Sequence, residues 1–254
     1  MIFVYSGKGG VGKSTICVNL AYSLMRQGIK VGLFDGDLSG PSIPTMVRQL
    51  EVRPMHFENF KILPGNYGGV YVNSIGFICD PIEGGYWQGK YLEGVLQQLL
   101  FATSWYDSDI LLIDMPPGVG AIHKAILSRL QGKALIVTTP QDLSYTDTIR
   151  AIEMLNRMKV DIVGVIENMA YFMCECGRTS AIFRGDTRKQ LCERFNVPLL
   201  LQLPLDVEIP ATSNAGDPFI LAANQKRDYV EAFHALSLRI YLEYDSFKSI
   251  RPTG

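Results

Sequence analysis

Long apolar runs are missing from this chain of 254 residues. None reaches the roughly 18 residues that a helix needs to cross a bilayer, so no membrane insertion is expected. An excess of either charge is missing as well. The 24 basic and 25 acidic side chains leave a net charge of -1, and no general nucleic-acid-binding surface is expected from that balance. Cysteine is scarce. The five residues Cys17, Cys79, Cys174, Cys176 and Cys192 are too few and too scattered for a secreted disulfide framework. No charged leader and apolar segment precede the first strand-like run, Ile2 to Tyr5, and the reading is a cytoplasmic protein. His56, His123 and His234 stand in no Ser-His-Asp or metal-ligand pattern and are read as structural or solvated. Internal repeats and long linkers are absent too.

What is present is apolar and periodic. Hydrophobic residues make up 47% of the chain, enough for one large core. Buried-strand runs alternate with helical patterns throughout: Ile2–Tyr5, Lys30–Phe34, Ile110–Asp114, Ala134–Thr138, Ile162–Ile166 and Val197–Leu203 are the strands. The alternation predicts an α/β fold, a mostly parallel sheet of seven or eight strands with helices on both faces. Residues 1–245 are expected to form a single domain, and 246–254 a loose tail. Residues 51–70 read as irregular, apart from short strands at Lys61–Pro64 and Val70–Ile75. Helices are expected over Tyr91–Thr103, Ser144–Met158, Arg188–Phe195 and Lys226–Tyr244.

The most informative stretch is Ser6-Gly7-Lys8-Gly9-Gly10-Val11-Gly12-Lys13-Ser14-Thr15. It follows a strand and opens a helix. The spacing Gly7-x-x-x-x-Gly12-Lys13-Ser14 is that of a phosphate-binding loop. Its glycines let backbone N–H groups approach an anion, and the helix beginning near Lys13 adds its positive dipole end. Lys13 can reach the β- and γ-phosphates, and the Ser14 hydroxyl can ligate Mg²⁺. Asp35 and Asp37 follow the second strand, at the sheet edge where ligands of open α/β sheets bind. They suit a magnesium or water role, or a turn rich in Asp and Gly. Ile110-Leu111-Leu112-Ile113-Asp114 ends a buried strand in an acid able to hold magnesium through water. Cys174 and Cys176, spaced i and i+2, can share one face of an extended stretch and pinch one metal. Free thiols or a zinc clip are the alternatives.

The set GKGGVGKST, DGDLSGPSIP, DMPPG, TTPQD and ENMAYFMC resembles the Mrp/ApbC branch of the ATPases with a deviant Walker A motif, the group that includes ParA and MinD. The resemblance spans roughly residues 1–240. It implies a homodimer that binds ATP and Mg²⁺, hydrolyses ATP slowly to ADP, and carries iron–sulfur clusters to apoprotein clients. By resemblance, Lys8 crosses the dimer interface to phosphates held by the partner subunit. Asp37 positions the attacking water, ahead of Asp35, which supports Mg²⁺ or its water shell. Gly118 offers its N–H to the γ-phosphate. Asn168 recognises adenine, with a turn or capping role as its alternative, and Pro204 and Asp206 close that side of the base pocket. Cys174 and Cys176, with the partner's pair, hold a four-iron, four-sulfur cluster. Tyr171 and Phe172 have a possible interface role.

The chain also departs from the pattern. Val119 replaces a threonine and Ala121 an aspartate in the D-x-PPGTGD segment, which implies slower or differently gated hydrolysis. Gln88 and Lys90 replace the arginine and proline of a W-R-G-P sequence. The cysteine pair is one residue shorter than Cys-x-x-Cys. Two rival functions stand beside the carrier: a positioning ATPase of the MinD or ParA kind, and a nucleotide-gated regulator with little hydrolysis.

Overall fold

The computed structural model describes residues 1–38, 40–48, 52–53, 55–59, 61–78, 90–105, 108–174, 176–222 and 227–249. Through them strands and helices alternate as β1 (Ile2–Tyr5), α1 (Lys13–Arg26), β2 (Val31–Asp35), α2 (Ile43–Val47), β3 (Val52–Arg53), β4 (His56–Glu58), β5 (Lys61–Leu63), β6 (Gly65–Tyr67) and β7 (Val70–Asn73). There follow α3 (Lys90–Ala102), β8 (Ile110–Asp114), α4 (Ala121–Leu127), β9 (Lys133–Thr138), α5 (Asp142–Arg157), β10 (Ile162–Glu167), β11 (Phe172–Met173), β12 (Thr179–Ser180), β13 (Leu199–Gln202), α6 (Glu208–Ala215) and α7 (Arg227–Ser249).

The main sheet has nine strands among the described residues, in the order β13-β10-β9-β1-β8-β2-β7-β6-β3. From β13 to β7 every pairing is parallel. The expected mostly parallel sheet is therefore present, and the short antiparallel strands β6 and β3 extend it at one edge. Continuous apolar strands such as β1 and β8 are buried along their whole length, as strands covered on both faces must be. Alternate residues feed the two sides. Ile2, Val4, Leu33 and Leu112 pack with Leu20 and Leu24 of α1 and Phe233 and Leu236 of α7. Phe3, Tyr5, Phe34 and Ile113 pack with Leu96 and Leu99 of α3, Ile126 of α4 and Ile152 of α5.

Register carries this order to the functional edge. Asp35 at the end of β2 is level with Asp114 at the end of β8. Glu167 at the end of β10 is level with Thr138 at the end of β9. The strand ends thus bring residues far apart in the chain onto one line, at the carboxyl edge where open α/β sheets bind ligands.

Several local expectations are corrected. Residues 51–70 are not irregular throughout: β4 and β5 form an antiparallel hairpin, and β6 folds back onto β7. Cross-strand pairs such as Phe57 with Ile62 stand where a Pro- and Gly-rich composition suggested loop. Residues Ile75–Phe77 form a 3₁₀ turn rather than strand, its first turn capped by the Ser74 hydroxyl, which accepts from Gly76 N–H at 3.1 Å. Helix α6 was not expected, because Pro210 lies inside it; the proline falls in the first turn, where no intrahelical donor is lost. Helix α7 runs on to Ser249, so the expected loose tail from 246 begins as helix. No glycine or proline interrupts the chain there before Pro252. The stretch with Gln88 lies outside the described residues, apart from Lys90 at the head of α3. No helix among the described residues is long and apolar enough to cross a membrane.

Leu112 is fully buried on the central strand β8. Leu112→Ala is expected to lower stability by about 2–5 kcal/mol, read as a drop in the urea midpoint with an unchanged far-UV spectrum.

Candidate functional site

The loop from Ser6 to Gly12 joins β1 to α1 and is held from several sides. Ser6 Oγ donates to the Lys8 carbonyl at 3.0 Å, and Gly118 N–H donates to the Ser6 carbonyl at 3.1 Å. Asn168 Nδ2 donates to the Val11 carbonyl at 2.9 Å. Two glycines are required by the geometry. A Cβ at Gly7 would enter the backbone of Asp147 and Thr148 in α5. Gly12 has φ of 86° and would meet the Asn168 amide, so a side chain there is both strained and blocked. Lys8, Gly9 and Gly10 are exposed, whereas Val11 is buried.

At the foot of the loop three polar groups converge. Lys13 Nζ lies 2.5 Å from Asp114 Oδ1, and Ser14 Oγ donates to Asp114 Oδ2 at 2.6 Å. Asp114 is fully buried and Lys13 is 6% exposed. Burial raises the Asp114 carboxyl above its ordinary value, opposed by the Lys13 charge and the two hydrogen bonds. A hydroxyl and a carboxylate at this separation are hard oxygen donors of the kind magnesium takes with part of its water shell. The ammonium is placed to move onto phosphate oxygens. The residues present therefore fit Mg²⁺ with a nucleotide polyphosphate.

Asp35 and Asp37 separate in role. Asp35 is fully buried. It accepts from Asp37 N–H at 3.2 Å, from Ile43 N–H at 3.3 Å and from Ser74 Oγ at 3.0 Å. It therefore pins the Asp37 loop and the start of α2 to the strand ends. Asp37 is only half-buried, accepts from Gly40 N–H at 3.2 Å, and lies close enough for its charge to bear on Asp114. Burial, and then the negative charge of Asp114, push the Asp35 carboxyl up to about 7. On the switch-like segment, Gly118 is anchored twice, since its carbonyl also accepts from Tyr5 Oη at 2.6 Å. Its N–H is spent on Ser6 in this arrangement. Val119 is exposed. His123, buried and kept neutral by its burial, donates from Nε2 to the Pro116 carbonyl at 2.9 Å. It is a structural histidine, as expected.

Beyond the loop lies a cavity of about 120 Å³, whose lining includes Gly12, Thr15, Asn168, Pro204, Asp206 and Tyr229. The three residues expected around the base, Asn168, Pro204 and Asp206, are thus brought together beside the helix that follows the loop. In this arrangement the Asn168 amide N–H is engaged by Val11.

One polar cluster was missed by sequence reading. Glu167 is 4% exposed. Its carboxylate accepts from Thr187 Oγ1 and, at 2.5 Å, from Gln202 Nε2. Tyr145 Oη and Thr187 Oγ1 lie 2.9 Å apart. These groups tie β10, β13 and α5 to the chain returning from the cysteine segment. A strand-end glutamate carries no signal of this in sequence, because its partners are 20 and 35 residues away.

The cysteine segment is a small antiparallel hairpin, β11 with β12. Cys174 N–H donates to the Arg178 carbonyl at 3.0 Å, and Gly177 N–H to the Cys174 carbonyl at 2.9 Å. The turn draws Cys174 and Cys176 together, with Cα atoms 5.3 Å apart and the two sulfurs joined as a disulfide. The shared face expected from the i, i+2 spacing is therefore present. Among the described residues no group of three or more His, Cys, Asp or Glu side chains is arranged to hold a metal. Cys17 and Cys192 are buried free thiols, both raised by burial.

Residues 1–241 match the ParA family profile described as NUBPL iron-transfer P-loop NTPase. The chain is 39% identical over 245 residues to an iron-sulfur cluster carrier protein of Haemophilus influenzae, covering 96% of this chain and 66% of that one. It is 42% identical over 225 residues to an iron-sulfur cluster carrier protein of Deinococcus radiodurans, covering 87% and 63%. The chain thus spans slightly under two thirds of the length of these relatives. Among solved structures, a nucleotide-binding protein of Archaeoglobus fulgidus in complex with ADP superposes with a TM-score of 0.71 at 32% identity, covering 85% of each chain.

The Asp35 shift gives a signed expectation. The folded chain holds a proton up to about pH 7, whereas an unfolded aspartate releases it near about 3.9. The native state therefore binds more protons between these values, and stability falls as pH rises through that window. Melting temperatures of the nucleotide-free protein should fall between pH 4 and 7 more steeply than those of Asp35→Asn; parallel curves would contradict this role.

Proposed function

The chain belongs to the NUBPL-type iron-transfer P-loop NTPases of the ParA family, and from that membership we propose that it is a homodimeric, slowly ATP-hydrolysing carrier of iron–sulfur clusters whose cargo site is switched by nucleotide. One observation carries the reading. The segment that walls the base cavity is hydrogen-bonded to the start of the cysteine hairpin: Ala170 N–H donates to Leu203 O at 2.8 Å, and Leu205 N–H to Tyr171 O at 2.7 Å. A base seated against Pro204 and Asp206 thus bears on the same backbone that holds Cys174.

The residues have separable tasks. Lys13 leaves Asp114 and pairs with the β- and γ-phosphate oxygens, where its charge offsets the charge developing on the transferred phosphoryl group. Ser14 and Asp114, with Asp37 directly or through water, hold magnesium, which when bound neutralises charge on those oxygens. Asp37 orients the attacking water, held in place by Asp35. Lys8, exposed at the loop tip, reaches the nucleotide of the partner subunit. Gly118 transfers its N–H from Ser6 to the γ-phosphate. That exchange, with the movement of the Asp37 loop, is the two-state element that nucleotide biases. Val119 and Ala121 supply neither the hydroxyl nor the carboxylate of related segments, in keeping with slow turnover.

Cys174 and Cys176, once reduced, provide two thiolates on one exposed hairpin. Two thiolates leave a four-ligand cluster half-bound. A second copy's pair completes it, so the cargo is a four-iron, four-sulfur cluster shared across the dimer and released to apoprotein clients. Zinc would be held by the same four thiolates. The cysteine pair favours the carrier over a positioning ATPase, which has no use for thiolate ligands.

Two measurements test this. Lys13→Ala should reduce phosphate release by about 10²–10³-fold and leave the far-UV spectrum unchanged. Anaerobic reconstitution with iron and sulfide, after a dithiol reductant has opened the disulfide to two thiolates, should give a brown chromophore in the wild-type protein and none in Cys174→Ser or Cys176→Ser. A colourless wild-type protein would sink the cluster assignment while leaving the ATPase result standing.

A further inference from the structure

Helix α6 has one end at the base cavity and the other on α2. Ile209 and Pro210, in its first turn, line the cavity. Its last turn packs on α2, the short helix that follows the Asp37 segment. The contact is close to the backbone on both sides. Gly216 ends α6 with φ of 85°. A Cβ there would run into the Arg48 side chain and stand 3.0 Å from the Thr45 carbonyl oxygen and 3.2 Å from Arg48 N, so only glycine permits the approach. The final carbonyls of α6 are then divided between two sources. Gly216 N–H and Asp217 N–H cap Ser213 and Thr212 locally, at 3.1 Å and 3.0 Å. Asn214 has Pro218 four residues on, which has no N–H to give. Its carbonyl accepts instead from Arg48 Nη2 at 2.5 Å, and the Ala215 carbonyl from Arg48 Nε at 3.5 Å. A cation is favoured at a helix C-terminus, but this one ends α2 and comes from 166 residues away. The start of α2 is tied as firmly. Ile43 N–H and Asp37 N–H donate to the two oxygens of Asp35. A Cβ on Gly76 would stand 3.2 Å from Pro41 and 3.0 Å from Pro44, so these prolines hold the head of α2 against the 3₁₀ turn.

We infer that Arg48 is a positioning residue that makes the Asp37 segment answer to the nucleotide base. It clasps α2 to α6, so that a wall of the base cavity and the segment that orients water move together. The inference rests on the ATPase reading of those two sites. A base seated against Ile209 and Pro210 holds α6. Helix α6 carries α2 through the Arg48 guanidinium and the Gly216 contact, and α2 carries Asp37 through Asp35. A phosphate chain without a base fills the loop and leaves α6 unheld. The consequence is specificity in turnover as well as in affinity, because the base then contributes to placing the attacking water. Coupling of this kind needs a discrete contact at each joint, and each joint here is a named hydrogen bond or a close packing contact. Arg48 is exposed, so its loss costs little global stability and falls on the coupling.

Hydrogen exchange read by mass spectrometry on the whole chain tests the clasp, with magnesium ADP and magnesium pyrophosphate as probes. Pyrophosphate fills the loop without a base, so the difference between the probes is the base's own contribution. In the wild type, ADP should slow exchange over residues 36–47 at least about fivefold beyond pyrophosphate, and over 204–216 as well. In Arg48→Ala the difference should persist over 204–216 and vanish over 36–47. The same difference over 36–47 in both proteins, or none in the wild type, overturns the inference, because Arg48 would then only cap α6. Turnover gives a second readout. Phosphate release from ATP by Arg48→Ala should lose at least about fivefold in kcat with KM changed by less than about twofold. Release from magnesium tripolyphosphate, however slow, should be unchanged. Equal losses on the two substrates overturn the inference, since the effect would be blind to the base. Arg48→Lys, able to serve one of the two carbonyls, should fall between wild type and alanine on both readouts. The two readings fail separately. A wild-type protein with the exchange difference but no Lys13-dependent phosphate release keeps the clasp and defeats the ATPase. Lys13-dependent release, with exchange over 36–47 blind to the base, does the reverse.

Discussion

Asp114 places a carboxylate in the middle of the sheet's carboxyl edge, out of reach of water, and the surrounding structure is arranged to make that tolerable. Its two oxygens are occupied by the Lys13 ammonium and the Ser14 hydroxyl, and an uncompensated charge at such depth would cost several kcal/mol. The pairing fixes the first turn of α1 against β8. It also sets Lys13 and Ser14 side by side at the carboxyl edge of the sheet. The same contact therefore joins the loop, the helix that follows it and the central strand.

Around this centre the parallel register does the positioning. Because Asp35 stands level with Asp114, a second buried carboxylate lies near the first, with one lysine between two acids. Asp35 is the less compensated, and burial with the charge of Asp114 raises it. Its three donors are the link between the strand ends and the segment bearing Asp37. On the other side, Gly118 is joined to both ends of the loop's approach, through Tyr5 and Ser6. The Gly118 segment is thus coupled to the loop by a direct hydrogen bond, whereas the Asp37 segment is tied to the strand ends through Asp35.

The far half of the sheet carries the cysteine hairpin. β10 ends in Glu167 and Asn168, one buried in a cluster with Thr187 and Gln202, the other at the base cavity and the loop. The chain then leaves for the cysteine hairpin and returns through Thr187. Both ends of this excursion are held beside the nucleotide pocket, while the hairpin itself is exposed. The hairpin is thus anchored at its root and exposed at its tip.

Much of this was legible in sequence because local chemistry determines it. The spacing from Gly7 to Ser14, the apolar run ending in Asp114 and the βα alternation all follow from backbone freedom, burial and periodicity over short stretches, and they sufficed for the loop, the fold class and the family. The i, i+2 cysteines already implied a shared face. Tertiary structure alone decided what depends on distant partners. It made Asp35 a buried strut, since Ser74 lies 39 residues away. It placed Glu167 under Thr187, turned the Pro- and Gly-rich residues 51–70 into hairpins, and brought Arg48 onto the last turn of α6. A sequence pattern registers neighbours along the chain, whereas burial and hydrogen bonding between strand ends register neighbours in space, and these coincide only where one element contains the whole interaction.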